Sequence, residues 1–225
     1  MKKDSYIPER RPIRSRELGI SHRMAAYLAA CGVTPNSISV MGMLFGVAAG
    51  AVLPLTRMNH WTTAAFIAAA ALIQLRLLAN MLDGMVAVRT QQASPVGELF
   101  NEIPDRISDT AIFIGAGYAA GSCPELGYLA ACAAMFTAYI RAEGKVAGAH
   151  QEFCGPMAKP QRMFLLTAIC VICALFPRRT AVLIQTNSLS TGLMAVALLV
   201  VTMGGGLTAL RRLLRVAKAL RIKTA

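Results

Sequence analysis

The chain has 225 residues, 56% of them hydrophobic, and a formal charge of +12. A soluble domain of this length spreads its apolar residues over short periodic stripes, whereas here they gather into runs near the roughly 20 residues needed to cross a bilayer. That excludes an ordinary soluble domain, and it turns the basicity away from nucleic acid, because the Lys and Arg residues flank apolar runs where they meet anionic lipid head groups.

In chain order, residues 1–11 are expected to be a disordered cytoplasmic tail. Between 12 and 31, Ile13, Leu18, Ile20, Met24 and Leu28 alternate with Arg14, Arg16, Glu17 and Arg23, which predicts an amphipathic helix lying in the membrane interface. Gly32-Val33-Thr34-Pro35 ends it, and Pro35 sits where the first span starts. Six spans are predicted, at 36–56, 61–83, 103–121, 125–144, 162–177 and 189–210. A backbone within lipid must satisfy its own hydrogen bonds, so the fold class is all-α, one integral membrane domain over 12–211. A basic cytoplasmic tail, 212–225, is expected to follow. Gly42, Gly46 and Gly50 recur every four residues in the first span, and Gly117 and Gly121 repeat the interval in the third. Small residues at that spacing let helices approach closely within lipid, and packing is their expected role. Cys170 and Cys173 lie inside an apolar run, where packing outweighs metal or redox chemistry.

Basic residues crowd both termini, and Arg89, Arg141, Lys145, Lys159 and Arg162 fall in or beside the second and fourth connections. The other connections carry only Arg57 and the pair Arg178-Arg179. The excess of positive charge on one side predicts that both termini and those two connections are cytoplasmic, and a bacterial inner membrane is the expected location.

Two polar stretches interrupt this pattern at the ends of spans. Asn80, Asp83 and Ala87 are three and four apart and share a helix face, with Arg76 one turn deeper on the same stripe. Asn101, Asp105 and Asp109 share a face at the start of the next helix. A buried arginine costs on the order of 3 kcal/mol on insertion scales without a partner; Asp83, Asp105 and Asp109 are its candidates. Oxygen ligands from two adjoining helix ends make a site for a hard divalent cation, Mg²⁺ or Mn²⁺, which takes a few carboxylates plus phosphate oxygens.

The pattern N-x2-D-G-x2-A-V-R-x7-G-x3-N-x3-D, running from Asn80 through Gly97 to Asp105, resembles the CDP-alcohol phosphotransferase signature D-x2-D-G-x2-A-R-x8-G-x3-D-x3-D with every interval kept. The resemblance implies a metal-dependent transferase that moves a phosphatidyl group from a CDP-activated lipid, CDP-diacylglycerol, to a small alcohol and releases CMP. Asn80, Asp83, Asn101 and Asp105 match the four metal-site aspartates, and Asp105 matches the catalytic general base. Gly84 and Ala87 match the small residues beside the cytidine. Asn36 and Ser39 lie in a segment similar to the family's cytidine-contacting one, and Arg89 is a candidate for the diphosphate. Arg141, Lys159 and Arg162 resemble the basic acceptor pocket of members whose acceptor carries a phosphate. Family members are commonly dimers, and the small-residue helix faces are compatible with a homodimer.

Two of the four aspartates are asparagines here, and Val88 takes the place of the family arginine. Four carboxylates balance two divalent cations and two balance one, so one tight metal is expected, with Asp109, Glu98 and Glu102 as candidates for restoring charge. A catalytically silent relative that binds lipid or nucleotide without turnover is the alternative. A transporter is disfavoured because its polar residues belong near mid-membrane at broken helices.

Overall fold

The computed structural model describes residues 18–92, 95–185 and 190–224, so the expected N-terminal tail, residues 12–17 and the Glu98 side chain lie outside the described residues. Among the described residues eight helices follow in order: α1 Gly19–Ala30, α2 Pro35–Val52, α3 Thr62–Arg89, α4 Pro95–Gly117, α5 Pro124–Val146, α6 Lys159–Leu175, α7 Pro177–Thr180 and α8 Leu193–Thr224. A 3₁₀ turn, Leu53–Arg57, extends α2. A pair of two-residue strands, β1 Ile184–Gln185 and β2 Ser190–Thr191, runs antiparallel with Ile184 opposite Thr191.

Local chemistry fixes several boundaries. Gly32, at φ +73°, makes the left-handed turn between α1 and α2. Thr34 caps α2, its Oγ1 accepting the Ser37 N–H at 3.2 Å, and Pro35 fills the first helical position, where its missing N–H costs nothing. Leu175 ends α6 just short of Pro177.

All six expected spans fall on long helices, though the ends shift. Among the described residues, three segments are long and apolar enough to cross a membrane: Pro35–Arg57, Thr62–Arg89 and Leu193–Ile222. The other three differ for visible reasons. α4 carries Glu98, Glu102, Asp105, Arg106 and Asp109, α5 carries Glu125, Arg141, Glu143 and Lys145, and α6 has 17 residues. α3 and α8 run past the hydrophobic stretches that announced them, α8 continuing as helix through the expected basic tail.

α2 lies between α3 and α4 and packs on both, which sets the distance between the two motif helices. Its small-residue stripe makes this possible. A methyl added at Gly46 would overlap the Ser108 side chain of α4, and one at Gly50 would overlap the backbone of Ala111. The stripe is therefore consumed inside the chain, as packing. The main core joins Phe66, Phe113, Met163 and Leu198 from α3, α4, α6 and α8; a smaller cluster joins Ala25, Ile38, Leu82 and Val86 where α1 and α2 meet the end of α3. Cys170 and Cys173 are buried in the main core as free thiols. The outward faces carry large apolar side chains, among them Leu44, Ile67, Phe136, Phe164 and Met203, the surface of a membrane-helix protein.

Candidate active site

The two polar stretches meet. Asn80 and Asp83 from α3, Asn101 and Asp105 from α4, and Ser39 and Gly42 from α2 line one small cavity, with Arg76 at its base. Helical periodicity brings Asn80 and Asp83 to one face, and Gly42 of α2 lets the helices close around that face, where an added methyl would press on Ala79 at 3.0 Å.

Asp83 is 3% exposed. Its Oδ2 accepts from Ser39 Oγ at 2.6 Å and its Oδ1 from the Gly84 backbone N–H at 2.5 Å. These two bonds fix the carboxylate's direction, and each oxygen keeps a further lone pair toward the cavity. With its amide nitrogen turned to Asp105, Asn80 donates to both carboxylate oxygens at 3.1 Å and to Asn101 Oδ1 at 3.3 Å, while its own oxygen accepts from Lys159 Nζ at 3.2 Å.

Asp105 is ringed by cations. Its Oδ1 accepts from Arg76 Nη2 at 3.0 Å, its Oδ2 pairs with the Lys159 ammonium, and Arg106 stands 3.9 Å away. Arg76 is fully buried and forks across α4, reaching Asp109 Oδ1 at 2.6 Å and Ser108 Oγ at 3.1 Å. Of its three candidate partners, Arg76 thus takes Asp105 and Asp109. Ser108 relays the contact to the backbone, donating to the Pro104 carbonyl at 2.9 Å. Pro104 lies inside α4 between Asn101 and Asp105, and it removes an N–H that would have bonded one turn back.

Two of the candidates for restoring charge are engaged elsewhere, and the third, Glu98, has its side chain outside the described residues. Asp109 is committed to Arg76, and Glu102 turns away from the cavity to Arg106 at 3.3 Å and Arg141 at 2.5 Å. Of the basic trio, Lys159 comes to the cavity and the other two lie beside it. Arg141 also stacks over Phe153, 5.6 Å from the ring centre. Arg162 is buried, donates to Thr137 Oγ1 at 2.9 Å and lies 3.7 Å from Asp109. Arg212 joins this neighbourhood from α8, donating to the Thr137 and Cys154 carbonyls at 2.9 and 3.0 Å. Its place in an apparent basic tail hid it, and its one signal was a stretch through residue 224 with no Gly or Pro to stop a helix. Asn36, Arg89 and Ala87 do not line the cavity: Asn36 and Arg89 are exposed and Ala87 is half-buried.

Among the described residues, no three His, Cys, Asp or Glu side chains cluster as a metal set. With asparagine at two of the four motif positions, the cavity offers two carboxylates and two amides. All are hard oxygen donors of the kind one divalent cation accepts. Asp105 has a protein cation on each oxygen, so the donor set fits one ion better than two.

Oxygen-rich ends of two helices, clasped by a third, define a class of helical membrane proteins with a polar pocket between neighbouring helices. The profile of CDP-alcohol phosphatidyltransferases matches residues 32–203, and the chain belongs to that family, a transferase of phospholipid biosynthesis. It is 30% identical over 156 residues to the archaetidylinositol phosphate synthase of Aeropyrum pernix, covering 69% of this chain and 76% of that one. Its fold is similar to that of the Mycobacterium tuberculosis phosphatidylinositol phosphate synthase PgsA1. With CDP-DAG bound, that structure gives a TM-score of 0.69 at 21% identity, over 88% of this chain and 94% of the other. In complex with manganese and citrate it gives 0.69 at 20% identity, over 87% and 88%.

Proposed function

We propose that the chain transfers a phosphatidyl group from CDP-diacylglycerol to the hydroxyl of a phosphorylated small alcohol of the inositol phosphate type, releasing CMP. The observation that carries this reading is the single cavity shared by Asn80, Asp83, Asn101 and Asp105. A divalent cation, Mg²⁺ or Mn²⁺, held by Asp83 with the amide oxygens of Asn80 and Asn101, would offset charge on the diphosphate and on the departing CMP. Manganese in the PgsA1 complex supports a divalent ion.

The chain's own residues do the rest. Ser39 and the Gly84 N–H hold Asp83 in one orientation, so its free lone pairs face the diphosphate. Asp105 receives the proton of the attacking hydroxyl on a lone pair not used by Arg76 or Lys159. Arg76 fixes Asp105 through a buried contact at 3.0 Å. Gly84 and Ala87 leave room for the cytidine, and the exposed Arg89 reaches the diphosphate from the rim. Asn36, at the start of α2, stands beside Ser39 on the cytidine side.

The acceptor's phosphate is taken by Arg141 and Arg162, with Arg212 beneath them. Arginine suits a phosphate because its planar fork makes paired, charged hydrogen bonds. The names of the two relatives, both inositol phosphate lipid synthases, support the choice of acceptor. We further propose six membrane spans, the exposed apolar residues Leu18, Ile20, Met24 and Tyr27 of α1 lying in the interface, and the cavity opening to the cytoplasm among anionic lipids. The test is CMP release by purified protein given CDP-diacylglycerol, Mg²⁺ and a panel of alcohols. Release that depends on a phosphorylated acceptor is expected; none with any acceptor would leave a silent lipid-binding relative.

A further inference from the structure

The intervals of the motif are intact while two of its charges are gone, and the structure shows what stands nearby instead. Lys159, the first residue of α6, extends its ammonium between the first and last motif positions, to the Asn80 amide oxygen and to Asp105 Oδ2. Its side chain is 19% exposed, so the contact is sheltered from water. Arg76 holds the opposite oxygen of Asp105.

Charge makes the consequence definite. A site of four carboxylates is neutral with two divalent ions. Here the cavity offers Asp83 and Asp105 against Lys159, because Arg76 is balanced by Asp109. One divalent ion brings the sum to one positive charge, and a second would bring it to three, beside an ammonium that already occupies the Asp105 oxygen. The asparagine at position 80 agrees with this arrangement, since an amide oxygen accepts the ammonium's hydrogen bond while adding no charge for a metal to answer.

We propose that Lys159 is a built-in cation that takes over the share of the site a second divalent ion would neutralise, leaving a seat for one ion at Asp83. Lys159 is thereby a positioning residue: it holds Asp105 and Asn80 in place with an ammonium tethered to α6. This rests on the transferase reading above, and the two fail differently. Absence of CMP release would overturn that reading; the metal count tests this one whether or not CMP is released.

The experiment counts Mn²⁺ bound to the detergent-purified full chain by electron paramagnetic resonance, with metal as the only added ligand. Wild type is expected to bind one Mn²⁺ per chain. The triple variant Lys159→Met, Asn80→Asp, Asn101→Asp, with four carboxylates and no ammonium, is expected to bind two. Lys159→Met alone should tighten the single site about tenfold or more, because a like charge has been removed beside it, whereas Lys159→Arg should leave it near wild type. Two tight ions in wild type, none at all, or Mn²⁺ affinity indifferent to Lys159→Met would each overturn the proposal. A wild-type count of two or none overturns the proposal even if a variant fails to fold.

Discussion

Replacing Arg76 by Met should be among the most damaging single changes outside the cavity donors, and its cost can be worked from the contacts. Arg76 is 1% exposed and Asp109 2%, and they meet at 2.6 Å. Without the guanidinium, Asp105 still has Lys159, but Asp109 is left buried with only the longer 3.7 Å contact to Arg162. Stranding one charge of a buried pair costs about 3–5 kcal/mol, two to nearly four orders of magnitude in the folded-to-unfolded ratio. Replacing both members by apolar groups, Arg76→Met with Asp109→Leu, removes the stranded charge and should recover much of the loss. A double-mutant cycle measured by reversible unfolding in detergent micelles should therefore give a coupling of about 2 kcal/mol or more. If the double variant lost the sum of the two single losses, the pair would not be the buried unit described here.

Other outcomes follow from the same contacts. Asp83→Ala should abolish CMP release while the protein stays folded and monodisperse by size exclusion, because it removes a carboxylate aimed at the cavity and no core packing. Ser39→Ala removes a charge-assisted bond worth about 1.5–3 kcal/mol, and should raise the Mg²⁺ concentration needed for half-maximal rate by roughly tenfold or more. Gly46→Val forces a side chain onto Ser108 and should destabilise by about 1–3 kcal/mol or more, read as a lowered midpoint of thermal unfolding. Arg141→Gln should raise KM for a phosphorylated acceptor and leave KM for CDP-diacylglycerol unchanged; an equal rise in both would remove Arg141 from the acceptor side.

The motif residues were legible because their spacing is helical and their polarity is out of place beside apolar runs. Asn80 and Asp83, three apart, and Asn101 and Asp105, four apart, had to share faces once the segments were helices. Helix ends were less legible, since hydropathy marks the part in contact with lipid and not the hydrogen-bonded length. α3 therefore runs on to Arg89, and α8 continues past residue 210 on a stretch dominated by the strong helix formers Leu, Ala, Arg and Lys, with no Gly or Pro in it. Lys159 was visible as a basic residue near the acceptor side, but its reach into the cavity depends on how α6 packs against α3, a long-range contact that no local pattern encodes. Ser108 was hidden for a similar reason: its value comes from Arg76, which lies 32 positions away in the chain.

The central claim is that donors from α3 and α4 hold one cation against a diphosphate. Anomalous scattering from crystals soaked with Mn²⁺ and CDP tests it most directly. One peak is predicted within the roughly 2.0–2.2 Å coordination distance of the Asp83 carboxylate, adjoining Asn80 and Asn101 and touching a diphosphate oxygen. A peak that lies elsewhere, or nucleotide bound with no ion between it and Asp83, would contradict it.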